Sequence, residues 1–118
     1  MGKAKLAHEK VMKYFDEIGF NCTTKNCREV TLDVVVDGKS RKRRLDIADN
    51  NPNIFDDIEV KAYETGKVYA TKDILAEVAA DAYLIKKEGW KIDWKFIDCE
   101  LSQPLREALQ KANINIIE

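Results

Sequence analysis

At 118 residues the chain is long enough for one domain with a real core and too short for two. Its 45% hydrophobic and 35% charged residues read as a soluble globular protein and exclude a disordered one. No apolar run approaches a bilayer-spanning length, the opening MGKAKLAHEK lacks the apolar stretch of a secretion signal, and a formal charge of −1 excludes a global basic field for nucleic acid.

From Lys3 to Ile18 the apolar residues Ala4, Ala7, Val11, Tyr14, Phe15 and Ile18 recur every three or four positions, which predicts an amphipathic helix stopped by Gly19. The stretch REVTLDVVVDGKSRKRRLDIAD then reads as two strands around Asp37-Gly38, a strong hairpin dipeptide, although the basic run leaves room for a longer loop. After the breaker NNPN, FDDIEVKAYE alternates as a third strand. ATKDILAEVAADAYLIKKEGW predicts a helix with a stripe of Ile74, Leu75, Val78, Ala82 and Ile85, ended by Gly89. A strand WKIDWKFID follows, then a helix with Ser102 as N-cap and Pro104 in its first turn, then a tail strand INII. The expected order is α-β-β-β-α-β followed by α-β, an α/β fold with helices packed on a central mixed sheet.

Cys22, Cys27 and Cys99 cannot all pair within the chain, so three ordinary thiols in a reducing cytosol are expected, and a zinc knuckle would need two further ligands. Trp90 and Trp94 are expected in the core or at its rim, while Tyr63 and Tyr69 are open to packing or to base stacking.

The charges are uneven. GKSRKRR gathers Lys39, Arg41, Lys42, Arg43 and Arg44, and acids gather at Asp56, Asp57 and Glu59. Such a basic run is usually a solvated hairpin tip, and the sharper reading is a phosphate clamp beside an acidic site. Strand alternation puts Glu59 and Lys61 on one face of the third strand and Arg44, Asp46 and Ala48 on one face of the second. If the two strands are neighbours, about 4.8 Å apart, Asp46 and Glu59 converge and call for a cation. A hard divalent ion takes such oxygens, here with the backbone carbonyl of Val60, and Lys61 on the same face could orient or activate a bound water.

With Asp46 as first acid and Glu59-Val60-Lys61 as a (D/E)xK element, the chain resembles the PD-(D/E)xK, or restriction-endonuclease-like, nuclease superfamily from the first helix to the strand around Trp94. It departs from the signature where Leu45, not proline, precedes Asp46. More narrowly, RRLDIA, IEVKAYETGK, EVAADAYLIKKEGWKIDWKFI and LREALQKANI are similar to the C-terminal nuclease toxin domains of bacterial contact-dependent inhibition and other polymorphic toxins. The resemblance implies an αβββαβ core with an extra C-terminal helix and short strand, and Glu77 as an auxiliary polar residue on the helix after the (D/E)xK strand. The alternative for Glu77 is a solvated acidic face supported by Lys72 and Lys86.

A Glu-x-Lys on a strand is by itself most often an exposed cross-strand pair; the parity of Asp46, the element order and Glu77 raise it to a catalytic candidate. The expected function is then a metal-dependent endonuclease: Asp46 and Glu59 hold Mg²⁺ or Mn²⁺, with Zn²⁺ less suited, and Lys61 positions the water. Lys39, Arg41, Lys42, Arg43, Arg44, Lys67 and Lys72 grip nucleic-acid phosphates. The resemblance implies a toxin effector delivered by a larger secreted protein, acting on DNA first and tRNA second in a target bacterium's cytoplasm and blocked by a cognate immunity protein. A housekeeping DNA-processing nuclease and a non-catalytic nucleic-acid-binding module are the alternatives.

Overall fold

The computed structural model describes residues 3–18, 22–23, 27–49, 51, 54–62 and 66–118. Gly19 and Tyr63, singled out above, lie outside these residues. The elements are α1 (Lys3–Ile18), β1 (Arg28–Val36), β2 (Lys39–Asp49), β3 (Asp56–Lys61), β4 (Lys67–Val68), α2 (Lys72–Glu88), β5 (Lys91–Phe96), β6 (Glu100–Leu101), α3 (Gln103–Lys111) and β7 (Asn115–Ile117). Among the described residues no helix is long and apolar enough to cross a membrane.

The main sheet has five strands in the order β1-β2-β3-β5-β7. β1, β2 and β3 form an antiparallel meander, and β5 and β7 add to it in parallel, so the sheet is mixed as expected. The first turn is as tight as two residues allow. Asp37 and Gly38 adopt φ of 53° and 76°, the left-handed pair that matches strand twist, and Val36 faces Lys39 directly; the basic run belongs to the strand and does not lengthen the loop. β4 and β6, which the sequence did not announce, pair in parallel over two residues each as a separate small sheet.

Capping residues set the helix ends. The Thr71 hydroxyl accepts the N–H of Ile74 at 3.2 Å to start α2, and Gly89 at φ 78° closes it with its N–H on the Leu84 carbonyl. Ser102 caps α3 in the same way, accepting from Leu105 N, with Pro104 in the first turn. The buried face of α2 is Ile74, Val78, Ala80, Asp81 and Leu84. It is rotated from the expected stripe: Leu75 is exposed, and an acid, Asp81, takes a core position.

Trp94 meets α2 through Asp81, while the next residue, Lys95, lies over the Tyr14 ring of α1. Adjacent strand residues point to opposite faces, so α1 and α2 cover opposite sides of the sheet. The core lies on the α2 and α3 side, where Ile92, Trp94 and Phe96 meet Ile74, Val78, Leu105 and Leu109. Both tryptophans are buried, and Trp90 stacks on Phe55 at 4.9 Å between centroids.

The cysteine expectation needs correcting. Cys22 and Cys27 are joined in a disulfide, and Cys99 is the free thiol among the described residues. An odd count excludes full pairing, not one pair. The two Cα atoms lie 5.9 Å apart, within disulfide reach. The bridge sits at the entry to β1, where the Cys27 carbonyl accepts Ala48 N at 2.8 Å, and Thr23 donates its N–H and hydroxyl to Asp49 at 2.9 and 2.7 Å.

Candidate active site

The β2–β3 ladder covers only Ile47–Asp49 against Asp56–Ile58. One step further, the Asp46 carboxylate takes the place of a backbone acceptor and receives Val60 N–H at 2.9 Å. Across from Asp46, on β1, the pairing skips Glu29, which has a φ of 53°. The side-chain alternation of β2 changes step here: Ala48 faces Asp57 in the ladder, yet Arg43, of opposite parity, reaches Glu59. This brings Asp46 near enough to Glu59 for its charge to act on that carboxyl, and both line the same cleft.

A cleft of about 550 Å³ opens over these groups, and Asp46, Glu59, Val60, Lys61 and Glu77 all line it. Lys61 Nζ is 2.8 Å from Glu77 Oε1 and 3.8 Å from Glu59 Oε1. It also stands 5.0 Å over the Trp94 ring, a cation–π contact that helps hold an otherwise costly buried ammonium. Glu77 therefore belongs to the cleft and not to a solvated acidic face.

Of the seven residues expected to grip phosphate, Arg41, Lys42 and Arg44 are exposed along the cleft's edge. Lys42 also pairs with Asp33 across the hairpin. Lys39, Lys67 and Lys72 are exposed outside the cleft lining, and Lys67 lies 5.8 Å over the exposed Tyr69 ring. Arg43 is different, being only 6% exposed. Its Nε and Nη2 hold Asp81 at 2.8 and 3.1 Å, Nη2 also holds Glu59 Oε2 at 2.9 Å, and Nη1 donates to the Arg44 carbonyl at 2.7 Å. Asp81 in turn accepts the Trp94 indole N–H at 2.8 Å.

The cluster has more acid than base. Asp46, Asp57, Glu59, Glu77 and Asp81 face Arg43 and Lys61. Burial holds the Glu59 carboxyl well above the usual range; Arg43 and Lys61 oppose this, and Asp46 adds to it. Asp57 is also raised well above it, by burial and then by Glu59 and Asp81, and Asp81 is raised by burial against the pull of Arg43. Burial likewise disfavours charge on Arg43, but Glu59 and Asp81 outweigh it and lock the guanidinium in its protonated form.

Sequence reasoning missed Asp57, Asp81 and the inward turn of Arg43. A signal existed for the first, because every second residue of DDIEVK from Asp57 is charged on a strand bound for the core. Comparison of the chain with models of protein families, with curated proteins and with solved structures gives no match.

Among the described residues no group of three or more His, Cys, Asp or Glu is arranged to hold a metal. A hard ion such as Mg²⁺ commonly takes only one or two carboxylates and completes its shell with water and phosphate oxygens. Asp46 and Glu59, neighbours in a cleft with more acids than bases, fit that requirement, whereas the sulfurs of Cys22 and Cys27 are committed to each other.

Proposed function

We propose that this domain is a metal-dependent nuclease with a restriction-endonuclease-like core formed by α1, β1, β2, β3, α2 and β5. The observation that carries the reading is the meeting of Asp46, Glu59 and Lys61 in one cleft edged by Arg41, Lys42 and Arg44. Asp46 and Glu59, with the Val60 carbonyl, would hold Mg²⁺ or Mn²⁺. Such an ion, when bound, supplies Lewis-acid stabilisation of phosphate charge and a more acidic water.

The chain's own groups do the rest. Lys61, steadied by Glu77 and the Trp94 ring, orients the attacking water and stabilises charge on the phosphate oxygens. Arg41, Lys42 and Arg44 hold the flanking phosphates, which gives affinity with little sequence information and suits a nuclease of low specificity. DNA is the first substrate and tRNA the second. The Cys22–Cys27 disulfide supports a domain that passes through an oxidising compartment, as a delivered antibacterial effector does before it reaches a target cytoplasm, and less a housekeeping cytosolic enzyme. A producer of such an effector needs a cognate immunity protein.

One observation favours the non-catalytic reading: Glu59 already has a cation on it, Arg43 at 2.9 Å. Incubation of the purified domain with plasmid DNA and, separately, with tRNA separates the two readings. With Mg²⁺ or Mn²⁺ the domain should degrade one of them, with EDTA neither, and Glu59→Ala and Lys61→Ala should each lower the rate by about a hundredfold or more. A folded wild-type domain that cuts neither polymer with either metal leaves the binding module as the reading.

A further inference from the structure

Asp57 has no part in the scheme above. It is 0% exposed, and neither of its carboxylate oxygens has a hydrogen-bond partner among the described residues. It precedes Glu59 by two residues on β3, facing Ala48 across one side of the strand and Ile92 across the other. The charges that act on it are Glu59, Asp81 and Asp46, all acids, and one cation, Arg43. A buried carboxyl with both oxygens idle is rare enough in a folded protein to ask for an explanation.

Arg43 shows the opposite imbalance. Nη2 serves both Glu59 and Asp81, while Nε and Nη1 are anchored to Asp81 and to the Arg44 carbonyl. The Glu59 oxygen it occupies is one that a divalent ion would need. The guanidinium cannot simply leave for solvent, because Asp81, fixed by the Trp94 indole, holds it by a second edge. Nor can a second positive charge enter a buried site beside it without new negative partners.

We propose that Arg43 is the resident counter-charge of Glu59, and that Asp57 is the acid that receives its Nη2–H when a divalent cation takes Glu59. The guanidinium pivots about its Asp81 edge; the hydrogen bond to Glu59 breaks and one to Asp57 forms. Arg43 and Asp57 are positioning residues in this scheme. It rests on the reading of Asp46 and Glu59 as metal ligands, and it accounts for two features at once: a ligand that is already paired, and an acid that is not.

The test is Mn²⁺ binding followed by the electron paramagnetic resonance of the free ion, which needs no catalysis, on wild type, Asp57→Asn and Arg43→Lys. In parallel, the Trp94 indole N–H resonance is followed through a Mg²⁺ titration, since its acceptor Asp81 anchors the moving group. Asp57→Asn should fold at least as well as wild type yet bind Mn²⁺ about tenfold more weakly, because the receiving acceptor has lost its charge. Arg43→Lys, without the fork that grips two acids together, should bind Mn²⁺ more tightly than wild type. The Trp94 resonance should move with Mg²⁺ in wild type and move less in Asp57→Asn. Unchanged Mn²⁺ affinity in Asp57→Asn, or a Trp94 resonance indifferent to Mg²⁺ that saturates the protein, overturns the exchange and leaves the metal site standing. Absence of Mn²⁺ binding by wild type overturns the metal site itself.

Discussion

Strands β3 and β5 lie side by side in parallel, with Asp57 opposite Ile92, Glu59 opposite Trp94 and Lys61 opposite Phe96. All six side chains are buried. The two rows share a face and a depth, and differ only in chemistry. The β5 row stabilises the fold by contact alone, at about 1.5–3 kcal/mol for each large apolar side chain withdrawn from water. The β3 row costs several kcal/mol per ion, which is offset only through partners, namely Arg43 and Lys61 for Glu59 and Glu77 and the Trp94 ring for Lys61. An apolar β3 would make at least as stable a sheet, so stability does not explain the charges. A site does.

Substitutions on the two rows should therefore behave differently. The largest effect is expected where the charged row loses its main partner: Arg43→Met should destabilise the domain by about 3–5 kcal/mol, because Glu59 and Asp81 are left buried without their cation. Urea denaturation measures it, and a loss below 1 kcal/mol would mean that the network contributes nothing to holding β3 in place. On the apolar row, Ile92→Ala should cost about 2–5 kcal/mol through lost burial and a residual cavity, by the same measurement.

Away from both rows, replacing Cys22 and Cys27 together by serine should cost about 2 kcal/mol, the value for so short a closed loop. Oxidised wild type should show the same drop on adding reductant; equal melting temperatures with and without it would contradict this.

The mildest effect has the opposite sign. Asp57→Asn, at the position facing Ile92, should raise stability by about 1–3 kcal/mol at neutral pH, since a buried unpaired acid is replaced by a neutral group. The pH dependence follows from the direction of its shift. Burial raises the folded pKa of Asp57 above the unfolded value, so the folded chain keeps a proton that the unfolded chain has released. Wild-type stability should then fall as pH rises from the ordinary carboxylate range through the raised one. Asp57→Asn should flatten that fall without removing it, because Glu59 and Asp81 are raised too. Denaturation midpoints across weakly acidic to neutral pH would show both features.

The contrast between the rows also explains how much could be read from the sequence. Local signals were sufficient for the main elements: Asp37-Gly38 for the hairpin, Gly89 and Ser102 for helix ends, and alternation in KIDWKF for β5. Two-residue strands such as β4 and β6 carry no pattern to find. Asp46, Glu59, Lys61 and Glu77 could be selected because the parity of neighbouring strands and one helix offset bring them together, and the structure does put them in one cleft. Arg43 could not be placed by that rule. Regular alternation assigns it to the far face of β2, and only the change of step at Asp46, which leaves the ladder for Val60 N–H, turns it inward. Asp81 escaped because the apolar stripe of α2 was drawn through Ala82, and an acid in the core is intelligible only once its partner Arg43 is there.

The claim that a divalent ion completes the charged row is tested most directly by locating the ion. Crystals of the wild-type domain soaked in Mn²⁺ would be measured for anomalous scattering. The account predicts one Mn²⁺ between the Asp46 and Glu59 carboxylates, beside the Val60 carbonyl, with the Arg43 guanidinium moved off Glu59. A map with no anomalous peak at that place, and Arg43 still on Glu59, would contradict it.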